Sequence, residues 1–301
     1  MFNKILVPLD GSDLAERALD PALTLGKAGN AEVILLRVPE LVHMLVPAGV
    51  GYGLLYPDQS LEYSTIQAHK YLKSLVESYD HPGILMRADV KDGDVAWAIV
   101  DMAQSEKAGL IAMSSHGYTG LTRWMYGSVA EKVLRAAPCP VLVVRSPRPL
   151  RKMLITLDGS ELSERALEPA IETAGGLRMA VTLLQVLPEV NVEEVQRLEE
   201  FERGFGWRAQ QEAREAAVEY LQRQAAAYRR PGLAIEAAVR SGAAAESILQ
   251  YAETNEVDLI AMATHGRSGL ARWVYGSVAE KVLRSAGRSM LIVRPPAHAL
   301  N

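Results

Sequence analysis

Residues 114–139 read SSHGYTGLTRWMYGSVAEKVLRAAPC, and residues 263–288 read ATHGRSGLARWVYGSVAEKVLRSAGR. Within this match, His116–Ala137 and His265–Ala286 are identical at about 17 of 22 positions. A domain with a single core has no physical reason to repeat itself so closely. The repeat therefore predicts two domains of the same fold in one chain.

A second match lies near the start of each copy. KILVPLDGSD at residues 4–13 corresponds to KMLITLDGSE at residues 152–161. Between the copies lies SPRPL at residues 146–150, whose prolines are typical of a stiff linker. We therefore predict one domain at residues 1–147 and a second at residues 148–301.

Composition limits the class of protein and its partners. The chain has 301 residues, of which 49% are hydrophobic, and a formal net charge of −4, which argues against nucleic acid or an acidic membrane as partner. The apolar runs are too short to span a membrane, and residues 1–9 lack a signal-peptide pattern, so we expect a cytoplasmic protein. The single cysteine, Cys139, excludes an internal disulfide and is interpreted as structural.

Short apolar runs alternate with helical periodicity in both halves. Continuous apolar strands separated by helices are typical of a parallel sheet covered on both faces, so each half is predicted to be a five-stranded, doubly wound α/β domain. The predicted strands are 4–9, 32–38, 84–90, 109–113 and 140–145, then 152–157, 180–186, 233–239, 258–262 and 289–293. The predicted helices of the first half are 13–28, 66–79, 94–106 and 128–137.

The halves differ mainly between their second strand and second helix. In the first half, residues 47–57 are rich in Gly, Pro and Tyr and are interpreted as a loop. In the second half, the charged residues 189–214 indicate an extended solvated helix, with a binding role as the alternative. The two domains are therefore not expected to be interchangeable.

The last helix of each half begins with a strong start signal. Ser128-Val-Ala-Glu131 and Ser277-Val-Ala-Glu280 match the capping box, which predicts Ser128 and Ser277 as N-caps. A helix N-terminus also offers free amides and the positive end of the helix dipole, and the glycine before each serine leaves room for an anion. Capping and phosphate binding are compatible interpretations here.

The loop after the fourth strand offers further amides. Gly117 and Gly120 can expose their backbone without a Cβ in the way. His116 has no partner nearby in sequence, so we interpret it as a loop anchor rather than a catalytic group. Arg123 and Arg272 are suited to a triphosphate, and a surface position is the equally good alternative.

Asp10 and its copy Asp158 follow the first strand of each half. In a doubly wound sheet, ligands bind outside the carboxyl ends of the strands where the strand order reverses, and a carboxylate there can accept hydrogen bonds from a sugar or base. The alternative is a simple Asp-Gly turn leading into the next helix.

Together these motifs resemble the universal stress protein family, in a tandem form with two such domains. ATP-binding members of the family carry Gly, two residues, Gly, nine residues, then Gly-Ser or Gly-Thr. The chain has Ser114-x-x-Gly117, nine residues and Gly127-Ser128, and a second set with Ala263, Gly266 and Gly276-Ser277. The resemblance covers both halves almost end to end.

The resemblance implies strand order 3-2-1-4-5 and an ATP site in each domain, with Mg²⁺ held through the phosphates. In the first domain it implies that the nucleotide is held by Pro8, Leu9, Asp10, Val38, Met113, Ser114, Gly117, Gly127, Ser128 and Val129. In the second domain it implies Thr156, Leu157, Asp158, Val186, Met262, Ala263, Gly266, Gly276, Ser277 and Val278.

The chain departs from the family pattern at the first loop glycine. Ser114 and Ala263 stand at this position. If it requires a positive φ, these residues cost about 1 kcal/mol, and if it requires only a small side chain, both are tolerated. A lesser departure is Thr156, where the first copy has Pro8.

Three classes of function remain open at this point. They are a nucleotide-binding stress regulator with little turnover, a slow ATPase or nucleotidyl-transfer enzyme, and a dimerising scaffold that binds no nucleotide. The sequence contains no Walker lysine motif and no adenylating-enzyme signature, which favours the regulator over a fast enzyme. The family's edge strands, here residues 140–145 and 289–294, imply an internal pseudo-dimer of the two domains and a homodimer as a further assembly.

Overall fold

The computed structural model describes residues 2–39, 45–48, 51–54, 57–79, 83–114, 127–189, 205–264 and 276–294. The chain divides into two compact units, Met1–Val144 and Arg145–Asn301, which we call the first and second domain. Two domains are present, as the repeat predicts. The exact position of their joint, predicted at residues 147 and 148, stays a prediction.

In the first domain, strands alternate with helices. Its elements are β1 (Lys4–Pro8), α1 (Asp13–Glu16), α2 (Leu19–Gly29), β2 (Glu32–Arg37), β3 (Leu45–Ala48), β4 (Gly51–Leu54), α3 (Pro57–Ser78), β5 (Leu85–Val90), α4 (Val95–Ser105), β6 (Leu110–Ser114), α5 (Ser128–Ala136) and β7 (Val141–Val144).

The second domain repeats this order without a counterpart of β3 and β4 among its described residues. Its elements are β8 (Lys152–Leu157), α6 (Glu161–Glu164), α7 (Leu167–Leu177), β9 (Ala180–Leu187), α8 (Phe205–Ala227), β10 (Ile235–Ser241), α9 (Ala244–Thr254), β11 (Leu259–Ala263), α10 (Ser277–Ser285) and β12 (Ser289–Val293).

Each domain has a five-stranded parallel arrangement. The order is β5-β2-β1-β6-β7 in the first domain and β10-β9-β8-β11-β12 in the second. Every pair within these two sets is parallel. With β3 and β4 set aside, both orders are 3-2-1-4-5, which confirms the predicted fold. The strand order reverses beside β1 and β8, so a ligand crevice is expected at their carboxyl ends.

The predicted loop at residues 47–57 is wrong. Strands β3 and β4 form an antiparallel pair there, with Leu45 opposite Leu54, and helix α3 begins at Pro57 rather than near residue 66. Gly and Pro enrichment favoured a loop. The sequence places only Gly49 and Val50 between the two strands, which is the spacing of a two-residue hairpin.

The predicted helix 13–28 is divided in two. Helix α1 ends at Glu16 and α2 begins at Leu19, and the copy is divided in the same way between α6 and α7. Proline lacks an amide hydrogen and is tolerated in the first turn of a helix but not in its interior. Pro21 and Pro169 lie in the first turns of α2 and α7, so the break before each of these helices accommodates the proline.

The charged stretch at 189–214 is only partly described. Helix α8 begins at Phe205, so it includes the last ten residues of this stretch, 205–214. Residues 207–214 are exposed. Residues 190–204 lie outside the described residues. The described part agrees with the expected solvated helix.

Apolar strand residues form the core. Ile5 and Leu6 of β1 and Leu154 and Ile155 of β8 are completely buried.

Cys139 is partly buried, and burial raises the pKa of its thiol to about 12. The thiol is therefore protonated at neutral pH, which fits the structural role expected for it.

Candidate functional site

The predicted site residues of the second domain lie at the carboxyl ends of its strands. Asp158 follows β8, Val186 is near the end of β9, and Ala263 ends β11. Helix α10 begins at Ser277, after the loop that follows β11. These ends lie along one edge of the sheet because all the strands are parallel.

A cavity of about 280 Å³ occupies this edge. Nine of the ten predicted residues line it, and the tenth, Gly266, lies outside the described residues. The nine are Thr156, Leu157, Asp158, Val186, Met262, Ala263, Gly276, Ser277 and Val278.

Six more residues line the cavity that the sequence reasoning missed. They are Ser163, Leu184, Ala244, Ile248, Thr264 and Ala279. Leu184 and Ile248 are buried apolar residues on periodic elements, where nothing in sequence distinguishes a cavity wall from an ordinary core position. Thr264 follows Ala263 directly and belongs to the loop motif, so the motif itself could have indicated it.

In the first domain, the predicted residues occupy the equivalent positions. Pro8 pairs with Leu36 across β1 and β2, just as Thr156 pairs with Leu184 across β8 and β9. Leu9, Asp10 and Val38 follow these strands, Met113 and Ser114 end β6, and Gly127, Ser128 and Val129 lie at the start of α5. Gly117 lies outside the described residues, as do His116, Arg123 and Arg272.

The Asp-Gly-Ser segments form the same turn in both domains. The Asp10 carboxylate accepts hydrogen bonds through Oδ1 from the Ser12 amide at 3.0 Å and from the Ser12 hydroxyl at 2.6 Å. Asp158 accepts the same pair from Ser160, also at 3.0 and 2.6 Å. One oxygen of each aspartate therefore holds the turn. The turn-forming interpretation is confirmed, and ligand binding by these aspartates stays a prediction.

An arginine lies beneath the first of these turns. Gly11 has a φ of +81°, and a Cβ on it would lie 2.7 Å from Nη1 of Arg37. The Arg37 guanidinium lies 5.5 Å from the ring centroid of Tyr71, whose hydroxyl donates to Glu16 at 2.8 Å. Burial and this hydrogen bond raise the pKa of Tyr71 above its usual range. The positive φ favours glycine in this turn, and a Cβ there would require the guanidinium of Arg37 to shift.

The predicted capping boxes are wrong. The N-cap of α5 is Gly127, with φ −56° and ψ 149°, and Ser128 is the first helical residue. The carbonyl of Gly127 accepts from the Glu131 amide at 3.1 Å, which is the first bond of the helix. Glu131 is therefore the fourth residue after the N-cap, whereas a capping box requires glutamate at the third. Its side chain instead accepts from Arg135 at 2.7 Å.

The second domain has the same helix start, with Gly276 as the N-cap of α10. Within the described residues, neither glycine N-cap contributes a side-chain hydrogen bond. Among the described residues, no N-cap side chain satisfies the first amides of α5 and α10, and an anion can bind to such amides at the positive end of the helix dipole. Glycine at the N-cap makes these helix starts better anion sites than the predicted serine caps would be.

Ser114 and Ala263 do not require a left-handed backbone. Ser114 pairs with Val144 at the end of β6, and Ala263 pairs with Val293 at the end of β11. Both are in extended strand conformation, and neither is among the described non-glycine residues with positive φ. The conformational cost of about 1 kcal/mol considered above therefore does not arise.

A larger groove, of about 710 Å³, lies between α8 and the amino end of β10. Ala225, Ala226, Ala234 and Ala237 form much of its lining. Ligands of doubly wound folds bind at the carboxyl ends of the strands, and the groove lies at the opposite end. We therefore place the candidate site in the smaller cavity.

Among the described residues, no group of three or more His, Cys, Asp or Glu side chains is arranged to hold a metal ion. In the same part of the chain, none of the helices has the length and the apolar character needed to cross a membrane.

Comparison with known proteins agrees with this architecture. The model of the universal stress protein family matches the chain twice, at residues 1–145 and 149–294. The chain belongs to the universal stress protein family. It carries two domains of this family in tandem.

Curated relatives in the family include both single and tandem forms. A universal stress protein of Methanocaldococcus jannaschii is 35% identical over 149 residues, which is 49% of this chain and 85% of the relative. A universal stress protein of Mycolicibacterium smegmatis is 26% identical over 97% of both chains. The second relative therefore spans both domains.

Among solved structures, a universal stress protein from Archaeoglobus fulgidus has a TM-score of 0.66. It is 20% identical in sequence, and the match covers 97% of this chain and 98% of that one. At this identity the likeness shows the fold.

Proposed function

We propose that this universal stress protein binds ATP in one or both domains and acts in the cytoplasm as a stress-response regulator with little or no turnover. The observation that carries the proposal is the cavity of the second domain. It brings the carboxyl end of β8, the end of β11 and the open start of α10 to one place, with nine predicted residues in its lining.

The lining has two chemically different ends. Gly276, Ser277 and Val278 present the start of a helix, where amides and the helix dipole favour a phosphate. Leu184, Val186 and Ile248 supply an apolar wall suited to a base. An anionic group joined to an aromatic base matches both ends, and a nucleoside triphosphate has this construction. Mg²⁺ would be held through the phosphate oxygens.

Low turnover follows from the same lining. Among its described residues, Asp158 is the one ionisable side chain, and one of its oxygens already holds Ser160. Rapid phosphoryl transfer requires a group that orients the attacking nucleophile and cations that neutralise the developing charge. The described part of the lining supplies binding groups rather than such a catalytic set, so we expect any hydrolysis to be slow.

A thermal-shift titration of the full chain with Mg-ATP tests binding. Saturation at about 100 times the dissociation constant adds about 2.7 kcal/mol to the free energy of unfolding of the domain that binds. An unchanged melting temperature at millimolar Mg-ATP would favour the alternative, a scaffold that binds no nucleotide.

Two variants separate binding from folding. Gly276→Asp and Gly127→Asp place a carboxylate at the start of α10 or α5. Both backbone positions have negative φ, and aspartate is a preferred N-cap, so each variant is expected to fold. The new carboxylate repels phosphate, so each variant should remove the stabilisation by Mg-ATP from its own domain.

The enzyme alternative has its own measurement. ATP turnover well above about one per minute, lost in the double variant Asp10→Ala with Asp158→Ala, would overturn the regulator and favour an ATPase. Residual turnover that these substitutions leave unchanged would indicate a contaminating activity and leave the regulator standing.

A further inference from the structure

One difference between the two candidate sites lies at the carboxyl end of the first strand of each domain. Thr156 lies beside Leu184 in the register of β8 and β9, and Pro8 lies beside Leu36 in the register of β1 and β2. Both positions come four residues after the lysine that begins the strand. The second domain thus has a hydroxyl where the first has an apolar ring.

The Thr156 side chain is buried against the cavity. Its exposed fraction is 9%, and it belongs to the cavity lining. Within the part of the chain that the structure describes, no hydrogen bond joins its hydroxyl to another group. The hydroxyl oxygen is not among the fully buried, unpartnered side-chain atoms of the described residues, so it is accessible from the cavity, where a ligand group can form a hydrogen bond with it.

The neighbouring Ser163 shows the contrast. It is also buried and lines the same cavity, but its hydroxyl donates to the carbonyl of Ser160 at 2.8 Å and accepts from the Asp158 amide at 3.3 Å. Ser163 therefore uses its hydroxyl to support the turn. Thr156 has no such internal task among the described residues.

The neighbours of Thr156 determine which part of a ligand it meets. Residues paired across parallel strands project from the same face of the sheet, so Thr156 and Leu184 share the apolar wall of the cavity. The phosphate end lies instead at Gly276 and Ser277, at the start of α10. A hydroxyl in the apolar wall faces the base of a nucleotide and not its phosphates.

We infer that the Thr156 hydroxyl forms a hydrogen bond with the polar edge of the bound base, and that the two domains therefore bind nucleotide with different affinity and selectivity. The inference rests on the proposed nucleotide binding. The first domain has no equivalent bond, because the side chain of Pro8 has neither donor nor acceptor.

Calorimetric titration of the full chain tests the inference with two probes. Mg-ATP occupies the whole site, and inorganic tripolyphosphate with Mg²⁺ occupies only the phosphate end. The Gly127→Asp variant is used as the background, because its new carboxylate prevents nucleotide binding in the first domain. In this background, Thr156→Val should weaken ATP binding about three- to tenfold, the usual worth of one hydrogen bond, while the affinity for tripolyphosphate stays unchanged.

Two further variants keep the test independent of folding. Thr156→Ser retains the hydroxyl and should bind ATP within about twofold of the parent. In the reverse background, Gly276→Asp, the substitution Pro8→Thr introduces the hydroxyl into the first domain. It should tighten ATP binding there and leave tripolyphosphate binding unchanged.

Each outcome has a definite meaning. If Thr156→Val weakens ATP and tripolyphosphate equally, Thr156 acts through the fold and the inference is wrong. If Thr156→Val binds ATP as tightly as the parent, the inference is wrong while the proposed function stands. If the parent protein binds neither probe, the proposed function fails and the inference fails with it.

Discussion

The two domains differ in the polar interactions that connect the amino ends of their strands to neighbouring elements. In the first domain, Lys4 donates to Glu106 at 2.6 Å, and Arg87 lies within 2.9–3.1 Å of Glu106, Glu32 and Asp89. These five residues, which we call the basal network, join the starts of β1 and β2 to β5 and the end of α4. They are partly exposed, with side-chain exposures of 21–36%.

The second domain uses backbone groups at the corresponding place. Asp258 accepts from the amides of Arg151 and Lys152, both at 2.9 Å. Lys152 donates to the carbonyl of Asn255 at 3.1 Å, and its distance to Glu256 is 3.9 Å. An ion network in one domain is thus replaced by an aspartate that binds two amides in the other.

The carboxyl ends show the opposite pattern. The Asp-Gly-Ser turn has the same hydrogen-bond lengths in both domains, and both terminal helices begin at an N-cap glycine. The polar groups at the amino ends of the strands are thus bound by different side chains in the two domains. At the carboxyl ends, the turn and the helix start of the candidate site keep the same geometry. The substitutions below test this comparison.

The largest effect is expected at the turn. Gly11→Ala should lower the free energy of unfolding of the first domain by about 2 kcal/mol, because the left-handed φ and the close guanidinium of Arg37 both oppose a Cβ. Denaturant unfolding measures the loss. Gln185 stands where the first domain has Arg37, so adding Arg37→Gln should recover part of the loss. No recovery would show that Arg37 does not crowd the turn.

A smaller effect is expected at the start of α4, and at the start of α9 in the second domain. Asp94 caps α4 by accepting from the amides of Ala96 and Trp97 at 3.0 and 3.2 Å. Ala243 precedes α9 with almost the same backbone, φ −68° against −67° for Asp94, but has no side-chain cap. Asp94→Ala should lower the melting temperature of the first domain by roughly 3 °C, and Ala243→Asp should raise that of the second.

Scanning calorimetry of both single variants checks this pair, with Asp92→Ala, an exposed neighbour outside the cap, as a control. If Ala243→Asp gives no stabilisation while Asp94→Ala destabilises, the ion pair of Asp94 with Lys132 at 3.1 Å carries the effect instead of the cap.

Acid should destabilise the first domain more than the second. The hydrogen bond from Lys132 lowers the pKa of Asp94, and that from Lys4 lowers the pKa of Glu106. In the second domain, Lys281 lowers the pKa of Glu246. A carboxylate with a depressed folded-state pKa stabilises above its unfolded-state pKa, and this contribution is lost as the pH falls through the folded-state value.

The loss therefore begins below about pH 4.5, the ordinary range of these carboxyl groups. Hydrogen exchange of the two domains at pH 6 and pH 3, corrected for intrinsic exchange rates, measures it. Because two such carboxylates lie in the first domain and one in the second among the described residues, the protection of the first should fall further. An equal fall would mean that these ion pairs do not distinguish the domains.

The smallest effect is expected in the basal network. Arg87→Met removes three ion pairs that are partly exposed and should lower the melting temperature of the first domain by about 1–2 °C. The effect should shrink in about 1 M NaCl, where the Debye length is about 3 Å. Lys152→Met at the start of β8 is a control that removes a single, longer ion pair, with Glu256 at 3.9 Å, and should change the melting temperature less.

Sequence reasoning succeeded where the signal is local and periodic. The apolar runs at residues 4–9 and 152–157 predicted buried strands, and the structure has them in β1 and β8. It failed at the start of α5, because Ser128 and Glu131 satisfy the spacing of a capping box equally well when the helix begins one residue earlier or later. Only the backbone angles of Gly127 decide between these registers.

The candidate site was predictable only in part. The Asp-Gly-Ser turn and the Gly-Ser helix start carry composition signals and were found. Leu184 and Ile248 were not found, because an apolar residue that lines a cavity has the same pattern as one in the core. Their role depends on which elements pack across the crevice.

By itself, the sequence determined that this protein has two copies of one α/β domain, since the repeat and the strand and helix periodicities are properties of the linear chain. The tertiary structure alone decided that Ser114 and Ala263 need no left-handed backbone, that Gly127 and Gly276 are the N-caps, and that Thr156 borders a cavity. The physical reason is that dihedral angles at element ends and the walls of a cavity are set by packing between segments distant in sequence, which no local pattern records.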